Sequence, residues 1–190
     1  RNNPNNNRLL VVYENSNIDV IKTDNSVENY SDLFRKNFSG KKNVNEMLFD
    51  GKMAYISCGF GIALFDTEKL EIKDTYIIGP NGTNLEVFQL AMTDSVFYAA
   101  TPVGLYKCRR DQLPNNYQNW KKVTQGIPSG YYGNVVFFNN TVIASYSPFK
   151  ESGINLKDTV YSYNSSNTWV KFSALALPYN MKKIKVIGDK

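Results

Sequence analysis

One segment of this chain recurs, and the recurrence limits the fold more than any other feature. Residues 50–66 read DGKMAYISCGFGIALFD. Residues 93–108, TDSVFYAATPVGLYKC, lie on that segment without a gap at an offset of about 43 residues. Tyr55 then falls on Tyr98, Gly61 on Gly104 and Ile62 on Leu105. Upstream, LLVVYENSNIDVI (9–21) lies on MAYISCGFGIALF (53–65) at an offset of about 44 residues. A fourth copy, FFNNTVIASY (137–146), lies on LFDGKMAYIS and is completed by DTVYSYNSSNTWVKF. Short apolar runs repeated at this period point to a β-propeller or a similar array.

The second copy shows how one unit divides. Asn45–Phe49 reads as a first strand and Asp50–Gly51 as a tight turn. Met53–Ser57 is a second strand, Gly59–Gly61 a bend, Ile62–Phe65 a third strand and Glu71–Ile77 an outer fourth. Asp-Gly between alternating apolar residues is a strong hairpin signal, because both positions tolerate positive φ. Thr93–Asp94 and Asn139–Asn140 occupy the same turn in their copies. The GFG of residues 59–61 is punctuation in this scheme. A phosphate loop would open a helix, whose N-terminus binds the anion, and a strand pattern follows here.

Four units result: 1–44 without an inner strand, 45–86, 87–130 and 131–180. Residues 181–190 are expected to form the inner strand of a next blade or a strand that closes the ring. Four blades is the low end for propellers, so a segment of a longer propeller is expected. Open blade faces would favour self-association. The chain opens RNNPNNNRLL, with no apolar leader. The predicted class is all-β: a partial propeller of about four blades, each a four-stranded repeat of about 43 residues.

The sequence holds no histidine, which removes histidine bases, Ser-His-Asp triads and most zinc sites. No catalytic residue, metal ligand or cofactor site is assigned. The two cysteines, Cys58 and Cys108, fall on strands of different blades and read as buried free thiols. Acidic residues are scattered, mostly in turns. Glu46 and Glu86 stand near the start of inner strands, where they could face a channel mouth.

Lysine and arginine total 22 against 17 acidic residues, a net charge of +5. The cations cluster at Arg35/Lys36 with Lys41/Lys42, at Lys107/Arg109/Arg110, at Lys121/Lys122 and at Lys182/Lys183/Lys185. Tyr117 and Trp120 lie beside the middle groups. Arg109, Arg110, Lys121, Lys122, Trp120 and Tyr117 are therefore the predicted surface for an anionic ligand. An anionic glycan suits that surface; nucleic acid does not, because no recognised nucleic-acid module appears. No apolar run is long enough to span a membrane.

Three segments carry a family resemblance: RLLVVYENSNIDVI, AYISCGFGIALFDTEKLEIKDTYIIGPNGT, and VFYAATPVGLYKC followed by NYQNWKKV. From about Arg8 to Val123 the chain resembles the N-terminal propeller of the PorZ family, Bacteroidetes proteins of the type IX (Por) secretion system. The resemblance implies an exported, non-enzymatic protein of the periplasm or outer-membrane surface. It also implies protein partners, and a role in presenting anionic lipopolysaccharide to the sortase that anchors cargo. The alternative is a ligand-sensing periplasmic propeller of a hybrid two-component sensor. Its usual Trp-Ile-Gly-Thr strand is replaced here by Tyr-Ile-Ser-Cys and Tyr-Ala-Ala-Thr. A propeller lyase or glycosidase would need clustered carboxylates at the channel mouth.

Overall fold

The computed structural model describes residues 7–37, 40–148, 157–163, 168–172, 175 and 181–187. The chain forms two units, Arg1–Val87 with Asn115–Gln118, and Phe88–Pro114 with Asn119–Lys190. The first unit holds β1 (Leu9–Val12), β2 (Ile18–Ile21), β3 (Val27–Tyr30), a single helical turn α1 (Asp32–Arg35), β4 (Val44–Asp50), β5 (Met53–Cys58), β6 (Gly61–Asp66) and β7 (Glu71–Tyr76). The second holds β8 (Gln89–Met92), β9 (Val96–Thr101), β10 (Gly104–Arg109), β11 (Lys121–Lys122), β12 (Tyr132–Phe138), β13 (Thr141–Tyr146), β14 (Thr159–Tyr163) and β15 (Trp169–Lys171). They pair strictly in chain order: β1-β2-β3, β4-β5-β6-β7, β8-β9-β10-β11 and β12-β13-β14-β15. All the ladders are antiparallel. The expected all-β propeller segment of about four blades is what the chain forms, and the described residues of its first sheet make three strands.

Burial follows strand position within a sheet. In the second sheet every residue of β6 is buried, and β5 is buried from Ala54 to Cys58. Central strands covered on both faces read as continuous apolar runs, which is why MAYISC and GIALFD lack clean alternation. The outer β7, EIKDTY, alternates exposed and half-buried positions through Asp74. The first unit closes over Leu10, Ile18, Val20, Ile56 and Phe65. Tyr30 meets the Phe65 ring edge-on, with centroids 5.8 Å apart. Burying a ring such as Phe65 fully contributes about 1.5–3 kcal/mol. In the second unit Tyr98, Leu105, Val135, Ala144 and Trp169 share one core. Tyr132 is fully buried there, and its hydroxyl donates to the Pro128 carbonyl at 2.8 Å.

The hairpin turns of the second and third sheets keep one register, and that of the fourth falls one residue earlier in the repeat. Asp50 pairs with Met53, so the loop is Gly51–Lys52, one residue later than the sequence pattern suggests. In the third sheet the Thr93 N–H donates to the Val96 carbonyl and encloses Asp94–Ser95. The Thr93 hydroxyl also accepts from the N–H groups of Ser95 and Val96. In the fourth sheet Phe138 pairs with Thr141, and the loop is Asn139–Asn140, as expected. Both asparagines have positive φ, 47° and 57°, the signature of a type I′ turn.

Gly61 opens β6 directly, so the GFG bend is a strand connection. Its φ is +142°, and a Cβ there would lie 2.1 Å from the Tyr76 carbonyl oxygen. Cys58 pairs with Gly61 as Thr101 pairs with Gly104, so the two blades share this register.

The expected inner strand at 181–190 differs from what forms. Its described part, 181–187, carries no ladder. Side chains hold its backbone instead: the Ile184 N–H donates to Asn134 Oδ1 at 3.0 Å, and Gln89 Nε2 donates to the Ile184 carbonyl at 3.2 Å. The Met181 N–H donates to the Asp158 carboxylate at 2.5 Å. Residues 188–190 lie outside the described residues.

Candidate anionic-ligand cleft

Strand alternation decides which cations of the second unit share a face. Along β10, Leu105, Lys107 and Arg109 fall on one side and Tyr106 and Cys108 on the other. The ladders place Ala100, Tyr98 and Val96 of β9 opposite Leu105, Lys107 and Arg109. Lys121 of β11 pairs with Lys107. One face of this sheet therefore runs from a buried apolar end at Ala100 and Leu105 to a cationic end at Lys107, Arg109 and Lys121.

At the cationic end a cleft of about 930 Å³ opens between the third and fourth sheets. Its apolar lining comes from Val96, Tyr98, Phe137, Val142, Tyr163 and Phe172. Lys107, Arg109 and Lys121 supply its charge, and among the described residues no carboxylate lines it. Thr93, Ser95, Asn119, Asn140, Thr141 and Ser162 add neutral donors and acceptors. A smaller pocket of about 250 Å³ shares Lys107 and Tyr163 and adds Lys122, Gln125 and Trp169. Tyr98, Tyr163 and Trp169 form an aromatic trio beneath the lysines, with centroids 5.3–6.5 Å apart. Burial pushes the Tyr98 hydroxyl up to about 12, with the neighbouring Tyr163 adding to the effect. Tyr98 is therefore a neutral hydroxyl at ordinary pH.

The six residues predicted as an anionic surface separate. Arg109 and Lys121 reach the cleft. Arg109 is already paired, donating through Nε and Nη2 to Asp111 at 2.9 and 2.5 Å. That pairing holds the Asp111 carboxyl below its ordinary range. Lys122 pairs with Tyr106, so alternation turns it from Lys121. Arg110 donates to the Thr93 carbonyl at 3.2 Å and caps the Phe97 ring at 5.5 Å. Trp120 is a correction: it is 4% exposed, stacks on Phe97 at 6.3 Å and donates its indole N–H to the Pro114 carbonyl at 2.7 Å. A ring so enclosed has no free face for a ligand. Tyr117 belongs to the other unit, where its ring lies over Gly82.

Sequence reasoning passed over Tyr98 and Tyr163, and it named Lys107 only as a member of a cluster. The alternation of β10 was the available signal for Lys107, because it sets Lys107 beside Arg109.

Glu46 and Glu86 make separate hydrogen bonds. Glu86 Oε1 accepts from Asn43 Nδ2 at 2.8 Å and Asn45 Nδ2 at 3.1 Å. Glu46 accepts from the N–H of Met47 at 3.2 Å. Among the described residues no group of three or more metal-ligating side chains forms. Cys58 and Cys108 are both free and buried. Burial pushes the Cys58 thiol up to about 12 and the Cys108 thiol, also raised by Asp111, up to about 11. Among the described residues no helix is long and apolar enough to cross a membrane.

A family described as the type IX secretion protein PorZ, N-terminal β-propeller domain, matches residues 1–121. Among curated proteins, none matches this chain by sequence. Among solved structures, PorZ of Porphyromonas gingivalis, described as an essential bacterial surface component of the type-IX secretion system, is similar with a TM-score of 0.71 at 19% identity. The similarity covers 87% of this chain and 20% of that one, so this chain spans about a fifth of the PorZ chain. A chain of the mitotic checkpoint complex is similar with a TM-score of 0.57 at 17% identity, over 84% of this chain and 45% of that one. The extracellular domain of a hybrid two-component system of B. thetaiotaomicron gives 0.51 at 11% identity, over 89% of this chain and 22% of that one. At such identities the structural likenesses concern the fold. With residues 1–121 matched and the meander sheets of a propeller behind that match, the chain belongs to the PorZ N-terminal β-propeller family of the type IX secretion system.

Proposed function

We propose that this chain is a non-catalytic interaction domain of an exported protein at the outer surface of the cell. There it helps present an anionic lipopolysaccharide to the sortase that anchors secreted cargo. The observation that carries this reading is the family match over residues 1–121. The description of the P. gingivalis protein as a bacterial surface component supports the location. The cation-lined cleft supports an anionic glycan as ligand. The absence of histidine from the sequence and the pairing of Glu86 with two asparagine amides support a domain without catalysis. In this reading the four sheets are blades at 1–44, 45–86, 87–130 and 131–180, and the partners are proteins of the secretion apparatus.

The test is affinity purification of the protein from outer membranes of its own bacterium. The expected result is co-purification of anionic lipopolysaccharide and of a sortase that processes secreted cargo. Recovery of neither contradicts the reading. Recovery of a sensor kinase in their place favours the sensor alternative, which shares the fold.

A further inference from the structure

We infer that the cleft between the third and fourth sheets is a binding site for an acidic saccharide, with Lys107 and Lys121 gripping its carboxylate or phosphate. The inference rests on the anionic-glycan reading above and specifies where on this chain the ligand sits.

The first support is charge. Lys107 and Lys121 are directly opposed in the β10–β11 ladder, on one face of the sheet. Like charges in that relation repel, which weakens the strand pair. Both side chains are exposed, and among the described residues neither has a carboxylate partner within ion-pair distance. An anion placed between them reverses the sign of the interaction and satisfies two ammonium groups together. The third cation, Arg109, is held by Asp111, so the two lysines carry the free charge.

The second support is shape and chemistry. The cleft, about 930 Å³, falls within the usual range of ligand sites, about 300–1,000 Å³. Its walls combine apolar surface, at Tyr98, Phe137 and Tyr163, with neutral polar groups at Ser95, Asn119, Asn140 and Thr141. A sugar ring presents the matching pair, an apolar C–H face and a rim of hydroxyls. A simple polyanion would use the lysines and leave the rest of this surface idle. An acidic peptide has no need of so many neutral hydroxyl and amide partners.

Calorimetric titration of the chain at low salt tests the inference with four probes. These are tetragalacturonate, its methyl ester, a phosphorylated mannotetraose and a tetraglutamate peptide. Tetragalacturonate or the phosphorylated mannotetraose is expected to bind, and the one that binds names the anionic group. The methyl ester is expected to bind at least about tenfold more weakly. Lys107→Gln with Lys121→Gln is expected to weaken binding about ten- to a hundredfold. The melting temperature should hold or rise, because the substitutions remove a repulsion. Lys182→Gln with Lys185→Gln, outside the cleft, should leave binding unchanged. The inference is overturned if neither acidic saccharide binds, or if the Lys107/Lys121 variant binds as well as the parent. It is equally overturned if the ester or tetraglutamate binds as tightly as the acidic saccharides. Lipopolysaccharide that still co-purifies with the Lys107/Lys121 variant would remove this site and leave the proposed function standing.

Discussion

Replacing Gly61 by alanine tests the reading of the repeat at one atom. Two penalties add. The backbone at φ +142° lies in a region that only glycine enters freely, and holding another residue there costs about 1–3 kcal/mol. The new Cβ would also stand 2.1 Å from the Tyr76 carbonyl oxygen, a backbone atom that cannot swing away. Ile62 pairs with Tyr76 beside this contact, so β6 and β7 must part there. Together these give a loss of about 3–5 kcal/mol, a large share of the roughly 5–15 kcal/mol that stabilises an ordinary domain. Gly104 occupies the same repeat position and should behave differently. Its φ is ordinary, and the added Cβ meets the Lys122 Cε at 2.5 Å, the far end of a flexible chain. Gly104→Ala should cost less than about 1 kcal/mol. Gly51→Ala has open space but a φ of +53°, and should cost about 1 kcal/mol. Urea unfolding followed by far-ultraviolet circular dichroism orders the three. Equal losses for Gly61→Ala and Gly104→Ala would refute the argument that local geometry, rather than repeat position, sets the cost.

Trp120→Ala should destabilise the protein by about 3–5 kcal/mol, read as a fall in urea midpoint; a stable variant that loses only anion binding would return Trp120 to the ligand surface. Neither thiol should react with a disulfide reagent near pH 8 in the folded protein, and both should react in denaturant; rapid labelling of folded protein would contradict the burial. The Cys58 thiol is raised from its ordinary 9.0 to about 12, so the folded chain holds its proton longer than the unfolded chain does. Its contribution is intact below pH 9 and is lost as pH climbs toward 12, at up to about 1.4 kcal/mol per pH unit. Cys58→Ala should flatten that slope in urea midpoints, and an unchanged slope would count against it.

The fold was legible because the pattern behind it is local and repeated. Met53 to Asp66 writes two strands and a bend, and the copy at 96–109 writes them again. The turn at Gly51–Lys52 was read one residue early because Asp50 joins the ladder, and no local residue preference reports that. The site was less legible. Trp120 and Lys121 are adjacent in sequence, yet one is buried against Phe97 and the other lines the cleft. A two-residue strand is too short for periodicity to show which faces inward. The amide partners of Glu86 come about 40 residues earlier in the chain, a distance over which sequence alone carries no pairing signal. The Tyr98–Tyr163 contact likewise joins strands of different sheets.

The most direct measurement is of cargo at the cell surface. The gene in its own bacterium is replaced by one lacking residues 9–187 in frame, and anchored and released type IX cargo are then quantified. The account predicts that anchored cargo falls and that unprocessed cargo accumulates. Normal processing and anchoring in the absence of these residues would contradict it.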